Sequence, residues 1–121
     1  MAGLLLLATC GPGALAPPVI GSPAKAVPGG DPSRGPAAIQ KYGCIACHVI
    51  HGVVGARGRV GPALDGLATR SIVAGRLSNT PENLVHWIQD PQGVSPGTVM
   101  PNMGVSEPDA RDIAAYLYTL K

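Results

Sequence analysis

The sequence has little of what usually fills a small hydrophobic core. It contains no phenylalanine, one tryptophan and three tyrosines among 121 residues, whereas glycine and proline number 17 and 13. The length predicts one domain. A single domain with so few large apolar side chains would have a thin core. A large apolar cofactor would remove that difficulty.

Long apolar runs and basic runs are also missing. No stretch approaches the roughly 20 consecutive apolar residues that a membrane-spanning helix needs. Formal net charge is only +2 at pH 7, and the basic residues are scattered. This pattern excludes recognition of nucleic acid or of a membrane through a polybasic patch.

Cysteine is scarce too, but two of the three cysteines lie in the pattern C-x-x-C-H, at Cys44, Cys47 and His48. No second cysteine pair exists to complete a zinc ribbon, and no βαβ pattern surrounds the dithiol as in thioredoxins. The spacing predicts covalent haem c, because each thiol can add to one vinyl group at the haem edge. His48 is then the predicted proximal ligand of the iron.

Residues 1–30 are predicted to be an export signal followed by a linker rich in proline and glycine, and residues 31–121 a folded domain. Haem c is attached outside the cytoplasm in bacteria, which favours the periplasm or the outer face of the cytoplasmic membrane. Leu7-Ala8-Thr9-Cys10 resembles a bacterial lipobox. Cys10 is therefore either a lipid anchor or part of a signal peptide that is removed.

The first predicted helix follows Asp31-Pro32-Ser33 and leads to Cys44. Either Asp31 or Ser33 can cap it. Pro36 is tolerated only in the first turn, which favours Ser33 as the cap. Residues 51–67, with five glycines and no sustained period, are predicted to be loop.

Two further helices are predicted after this loop. Thr80 caps the first of them, and Asp90-Pro91 ends it. Ser106 and Asp109 fit a capping box at the start of the last helix, whose apolar stripe continues to Leu120. The predicted fold class is therefore all-α, with three main helices around one haem.

Four side chains are candidates for the second axial ligand. His51 follows the proximal histidine by only three residues, and His86 is predicted to face solvent from a helix. Met100 lies in a loop whose backbone is restricted by its neighbours, and is preferred over Met103. A haem held by histidine and methionine has no open coordination position, which favours electron transfer over catalysis.

In combination, these motifs resemble those of a class I, His/Met-ligated cytochrome c. The resemblance covers residues 31–121 and rests on Cys44–His48, Gly61-Pro62, the stretch Pro96–Pro101 and the ending Asp112–Leu117. It implies a small cytochrome c fold in which the first and last helices cross near a glycine and an aromatic residue, matched here by Gly35 and Tyr116.

The resemblance also implies roles around the haem. The carbonyl of Pro62 would accept from the free ring nitrogen of the proximal histidine. Thr98 and Arg70 would lie near the propionates, and Trp87 beside the methionine side of the haem. The sequence departs from mitochondrial members in two ways: residues 71–79 form a shorter segment, and Lys41 and Lys121 are the only lysines of the domain.

The predicted function is a one-electron carrier, not an enzyme, working as a monomer between a cytochrome bc complex or a dehydrogenase and a terminal oxidase. One alternative is an electron-relay subunit of a larger oxidase or dehydrogenase complex. A second alternative is a gas sensor or weak peroxidase in which Met100 leaves the iron.

Overall fold

The computed structural model describes residues 25–121, so the predictions for Cys10 and the export signal lie outside the described residues. Within them the chain forms four helices: α1 Gly35–Lys41, α2 Pro81–Gln89, α3 Pro91–Val94 and α4 Glu107–Leu117. One antiparallel hairpin pairs β1 Ile72–Val73 with β2 Leu77–Ser78. The predicted all-α class is confirmed, and the hairpin and α3 are additions that the sequence did not predict.

Asp31 starts the first helical segment. Its carboxylate accepts from Ser33 N at 2.9 Å, and Pro32 takes the first position of a 3-10 turn. That turn leads directly into α1, so Pro36 still falls where no amide hydrogen is needed. The preference for Ser33 as the cap was wrong, because the 3-10 turn moves the cap two residues upstream.

α2 begins and ends where predicted. Thr80 Oγ1 accepts from Asn83 N at 3.2 Å, and the helix ends at Gln89. Asp90 then caps α3 by accepting from Gly93 N at 2.9 Å. Because proline suits the first position of a helix, Pro91 ends α2 and starts α3.

α4 begins as predicted but ends earlier. Ser106 Oγ accepts from Asp109 N at 3.3 Å, whereas the Asp109 carboxylate turns towards Tyr42 and accepts from its hydroxyl at 2.6 Å. The helix ends at Leu117 rather than at Leu120. Leu120 N bonds to Leu117 O at 3.1 Å, so the last residues tighten into an i→i+3 turn.

α1 crosses α4 at Gly35, as the resemblance implies. A side chain at Gly35 would overlap Tyr116 and approach the Asp112 carbonyl to 2.9 Å. The buried Asp112 carboxylate accepts from Asp31 N at 2.8 Å and from Arg34 Nε at 3.1 Å. These contacts hold the start of α1 on α4, while Lys41 and Tyr42 at its end contact Asp109 of α4, just before the cysteines.

The packed chain reaches upstream of the predicted domain start at Asp31. Val27 is buried in the core, and Lys25 Nζ donates to Asn79 O at 2.6 Å. The division of the chain at residue 31 stays a prediction. Among residues 25–121 no helix is both long and apolar enough to cross a bilayer.

Candidate haem site

A cavity of about 600 Å³ opens between α1, α2, α4 and the loop that precedes α4. Apolar residues such as Ile39, Leu84 and Ile113 form its walls. All eight residues predicted for the site line it: Cys44, Cys47, His48, Pro62, Arg70, Trp87, Thr98 and Met100. His51 and His86 do not line it, and both are exposed.

The attachment segment follows α1 directly. Gly43 takes a left-handed conformation with φ of 75°, and Cys44–Ala46 forms a 3-10 turn. Cys44 and Cys47 are not joined to each other by a disulfide, and both lie half-buried in the cavity wall. Burial raises the pKa of the Cys44 thiol. Within residues 25–121 no three side chains of His, Cys, Asp or Glu cluster in a way that could hold a metal ion.

Pro62 orients the imidazole of His48. His48 Nδ1 lies 2.7 Å from the Pro62 carbonyl oxygen. A carbonyl only accepts, so Nδ1 carries the proton and Nε2 keeps the lone pair that a metal requires. Gly61 N donates to Cys47 O at 2.8 Å, and any Cβ at Gly61 would overlap the imidazole ring. Sequence reasoning noted Gly61 as part of a motif but missed this steric role.

Both methionines reach the cavity, in different settings. Met100 is half-buried, whereas Met103 is 44% exposed and its methyl group lies near Gly43. The backbone around Met100 is bound by a residue that sequence reasoning missed: Gln92 donates from Nε2 to Thr98 O at 2.7 Å and to Met100 O at 2.8 Å. A single glutamine after a proline carries no local pattern that predicts such a contact.

Arg70 sits at another edge of the cavity. Its Nη2 donates to Ala63 O at 2.6 Å and to Asp65 O at 3.3 Å, which orients the guanidinium. Asn79, also missed from the sequence, donates from Nδ2 to Leu67 O at 2.9 Å and to Arg70 O at 2.8 Å. Its position is set by the hairpin β1–β2, which the sequence did not predict.

Trp87 and Thr98 lie on the α2 side of the cavity. Trp87 projects from α2 and is half-buried. Thr98 is half-buried too, and its amide donates to Ser95 O at 3.0 Å. Their positions agree with the expected surroundings of the haem, and their individual roles stay predictions.

The donor set fits a haem. Two thiols and one imidazole come from five consecutive residues, a thioether comes from the loop before α4, and apolar side chains form most of the wall between them. Thioether links and one nitrogen ligand from a single turn of chain are what covalent haem attachment requires. The fold and the cavity together define a small helical haem protein.

Comparison with known proteins gives the family. The Cytochrome c family matches residues 32–121. The chain is 35% identical over 107 residues to cytochrome c2 of Rhodopila globiformis, with 78% of this chain and 97% of that protein covered. It is 39% identical over 90 residues to cytochrome c oxidase subunit 2 of Alkalihalophilus pseudofirmus, with 74% of this chain covered. It spans 25% of that subunit's length.

The chain therefore belongs to the cytochrome c family. It binds one haem c covalently and transfers single electrons, and the fold expected from the resemblance is confirmed. The family is one of electron carriers, and its members exchange electrons with redox partners.

Proposed function

We propose that this protein carries single electrons at the outer face of a bacterial cytoplasmic membrane, with His48 and Met100 as axial ligands. The observation that carries the proposal is that both residues line one apolar cavity. The His48 imidazole is oriented there by Pro62 O at 2.7 Å, and the Met100 backbone carbonyl is held by Gln92 at 2.8 Å. When bound, the haem supplies the one-electron redox chemistry, and the chain supplies its orientation and surroundings.

The side chains of His48 and Met100 suit one-electron transfer. The Pro62 carbonyl keeps the proton on Nδ1 of His48, so Nε2 is free to bind and is a stronger donor. A thioether at Met100 favours the reduced metal and raises the reduction potential. Apolar walls at Leu84 and Ile113 lower the local polarity, which tunes the potential further.

Two variants test the choice of methionine. Met100→Ala is expected to abolish the thioether–ferric absorption band and to lower the reduction potential. Met103→Ala is the matched control and is expected to retain both, since Met103 is 44% exposed and lies near Gly43. The reverse pattern would assign the ligand role to Met103.

Carbon monoxide separates a carrier from a gas sensor. With Met100 bound, the ferrous protein at neutral pH is expected not to bind carbon monoxide. The Met100→Ala variant, which has an open position, is expected to bind it and serves as the positive control. Binding by the unchanged protein would support the sensor alternative.

An electron-relay subunit is the second candidate, and the match to cytochrome c oxidase subunit 2 favours it. In that case the donor would be a cytochrome bc complex or a dehydrogenase, and the domain would stay bound within an oxidase or dehydrogenase complex. Size-exclusion chromatography of detergent extracts from the native host distinguishes the two. A free carrier elutes as a monomer, whereas a relay subunit co-elutes with the larger complex.

Location and anchoring are proposed from the N-terminal sequence. Cys10 follows a stretch that resembles a lipobox, and a lipid anchor there would hold the domain at the membrane. Replacing Cys10 with serine is expected to move the protein from the membrane fraction to the soluble periplasmic fraction. If the distribution does not change, Cys10 belongs to a removed signal peptide or has no anchoring role.

A further inference from the structure

We infer that Gln92 is a positioning residue that holds the loop carrying Met100, and thereby sets how firmly the methionine sulfur occupies its site. The inference rests on the proposed role of Met100 as axial ligand. It concerns a side chain in α3, outside the predicted ligand set.

Both the nitrogen and the oxygen of the Gln92 side-chain amide form hydrogen bonds with the loop. Nε2 donates to Thr98 O at 2.7 Å and to Met100 O at 2.8 Å, and Oε1 accepts from Gly97 N at 3.2 Å. A flipped amide would set its oxygen against two carbonyl oxygens and its NH₂ against an amide hydrogen. The three contacts therefore allow only one orientation of the amide.

The loop has little other support. Among the described residues, the only backbone–backbone hydrogen bond made by residues 96–104 joins Thr98 N to Ser95 O, at 3.0 Å. The carbonyls on either side of Val99 both depend on Gln92. Val99 itself is 80% exposed and contributes little packing. One side chain thus fixes the backbone just before and at the ligand position.

Gln92 is itself held firmly. Its backbone amide donates to Asn102 Oδ1 at 3.0 Å, and Asn102 Nδ2 donates to Asp90 Oδ1 at 3.0 Å. The same Asp90 oxygen caps α3 through Gly93 N at 2.9 Å. The ligand loop is therefore bound to α3 and its cap on both sides of Met100, and the Gln92 side chain makes the contact to Met100 itself.

This geometry predicts how the ligand responds when the amide is lost. A ligand must be held to about 0.5 Å by its supporting groups, and side chains on helices do this better than loops. Without Gln92, water can bind the two carbonyls in several loop conformations. The sulfur would then leave the metal more often, although Met100 itself is unchanged.

The test uses the holoprotein with Gln92→Ala and the near-isosteric Gln92→Glu, whose carboxylate can accept from Gly97 N but cannot donate to the carbonyls. Added imidazole, which competes for the methionine position of the ferric protein, is the probe. Both variants are expected to bind imidazole about tenfold more tightly, the factor expected from the loss of one to two net hydrogen bonds. The thioether–ferric band should weaken in both variants. Hydrogen exchange at Gly97 N should accelerate in Gln92→Ala, which has no acceptor there, but not in Gln92→Glu, whose carboxylate can keep that bond.

Gln89→Ala is the matched control, because Gln89 is a glutamine on α2 that donates to Val105 O at 3.4 Å, five residues beyond Met100, and makes no hydrogen bond to residues 96–104. It is expected to leave imidazole binding unchanged. The inference is overturned if Gln92→Ala and Gln92→Glu bind imidazole as the unchanged protein does, or if Gln89→Ala shows the same increase. Met100→Ala separates the two proposals: if it loses the band while both Gln92 variants are normal, the ligand assignment stands and only the role of Gln92 fails.

Discussion

At the scale of single residues, one carbonyl oxygen decides which nitrogen of His48 is free. The Pro62 carbonyl at 2.7 Å fixes the tautomer, and the absence of a side chain at Gly61 lets the chain pass over the ring. The proline ring itself takes no part in this hydrogen bond. Main-chain shape, rather than side-chain chemistry, therefore orients the proximal ligand.

Gly61→Ala is predicted to displace the His48 imidazole, because the new methyl group would overlap the ring. Overpacking of this kind costs about 1–3 kcal/mol. Denaturant unfolding of the holoprotein should show that loss, and the reduction potential should shift as the Nδ1 hydrogen bond lengthens. Pro62→Ala keeps the carbonyl and is expected to keep the potential. An unchanged Gly61→Ala protein would show that the ring moves freely.

Tyr118 carries a pH dependence that can be measured. Burial, with a smaller effect from Glu82, raises the pKa of Tyr118 to about 12, against an ordinary value near 10. The folded state thus holds the phenolic proton more tightly than the unfolded state. The stability that Tyr118 contributes is complete below pH 10 and is lost as the pH rises towards 12.

The comparison with Tyr118→Phe isolates this effect. Up to about pH 10 the unchanged protein should be more stable than the variant, because the Tyr118 hydroxyl donates to Asn79 Oδ1 at 2.8 Å. Between pH 10 and 12 that difference in the free energy of unfolding should shrink, by at most about 1.4 kcal/mol for each pH unit. A constant difference across this range would contradict the raised pKa.

At the scale of elements, Asn79 joins the hairpin, the 67–70 segment and the C-terminal turn. It is 6% exposed, donates to Leu67 O and Arg70 O, and accepts from Tyr118. No buried polar side-chain atom in residues 25–121 lacks a partner. This satisfied network holds the cavity edge that carries Arg70.

Asn79→Ala is predicted to lower the free energy of unfolding by about 2–3 kcal/mol, because one buried carbonyl, one part-buried carbonyl and one buried hydroxyl lose their partner. Asn83→Ala is the control: Asn83 Nδ2 bonds only Ser78 O, at 2.9 Å near the surface, and its loss should cost less than about 1 kcal/mol. Urea unfolding of both variants measures the contrast. Equal losses in the free energy of unfolding would contradict the prediction that the hydrogen bonds of Asn79 stabilise the fold more than that of Asn83.

The first and last residues of the helices and strands were only partly predictable from the sequence. Thr80 and Pro81 mark the start of α2 by local chemistry, and the structure agrees. The end of α4 depends on a turn whose amides bond Tyr116 O and Leu117 O, which the apolar stripe does not reveal. The two-residue strands of the hairpin are too short for any period to show.

At the scale of the whole molecule, paired and unpaired charges are separated along the chain. Arg34, Lys41 and Arg111 form ion pairs with carboxylates of α4. Arg57 and Arg59 are exposed and form no ion pair within residues 25–121. Gly58 between them packs on the backbone of Ala46 and Cys47, so both arginines flank the attachment segment.

This arrangement predicts that exposed arginines guide an acidic redox partner to the haem side. Replacing Arg57 and Arg59 by glutamine should reduce the rate of electron transfer to an acidic partner at low salt, and the difference should disappear at high salt as screening removes the attraction. Stopped-flow kinetics over a range of ionic strength measures this. Lys41→Gln, which removes a charge already paired with Asp109, is the control and should change the rate less.

The sequence by itself determined the cofactor, because C-x-x-C-H is a local covalent requirement that five consecutive residues meet, and its motifs in combination indicated the family. It also placed the caps at Thr80 and Ser106, whose hydrogen bonds span three residues. Only the tertiary structure decided that Gln92 supports the Met100 loop and that Asn79 supports the Arg70 edge. Those contacts depend on the short helix α3 and on the hairpin β1–β2, which no local pattern specifies. The contacts join residues that are brought together only when the chain packs around the cavity.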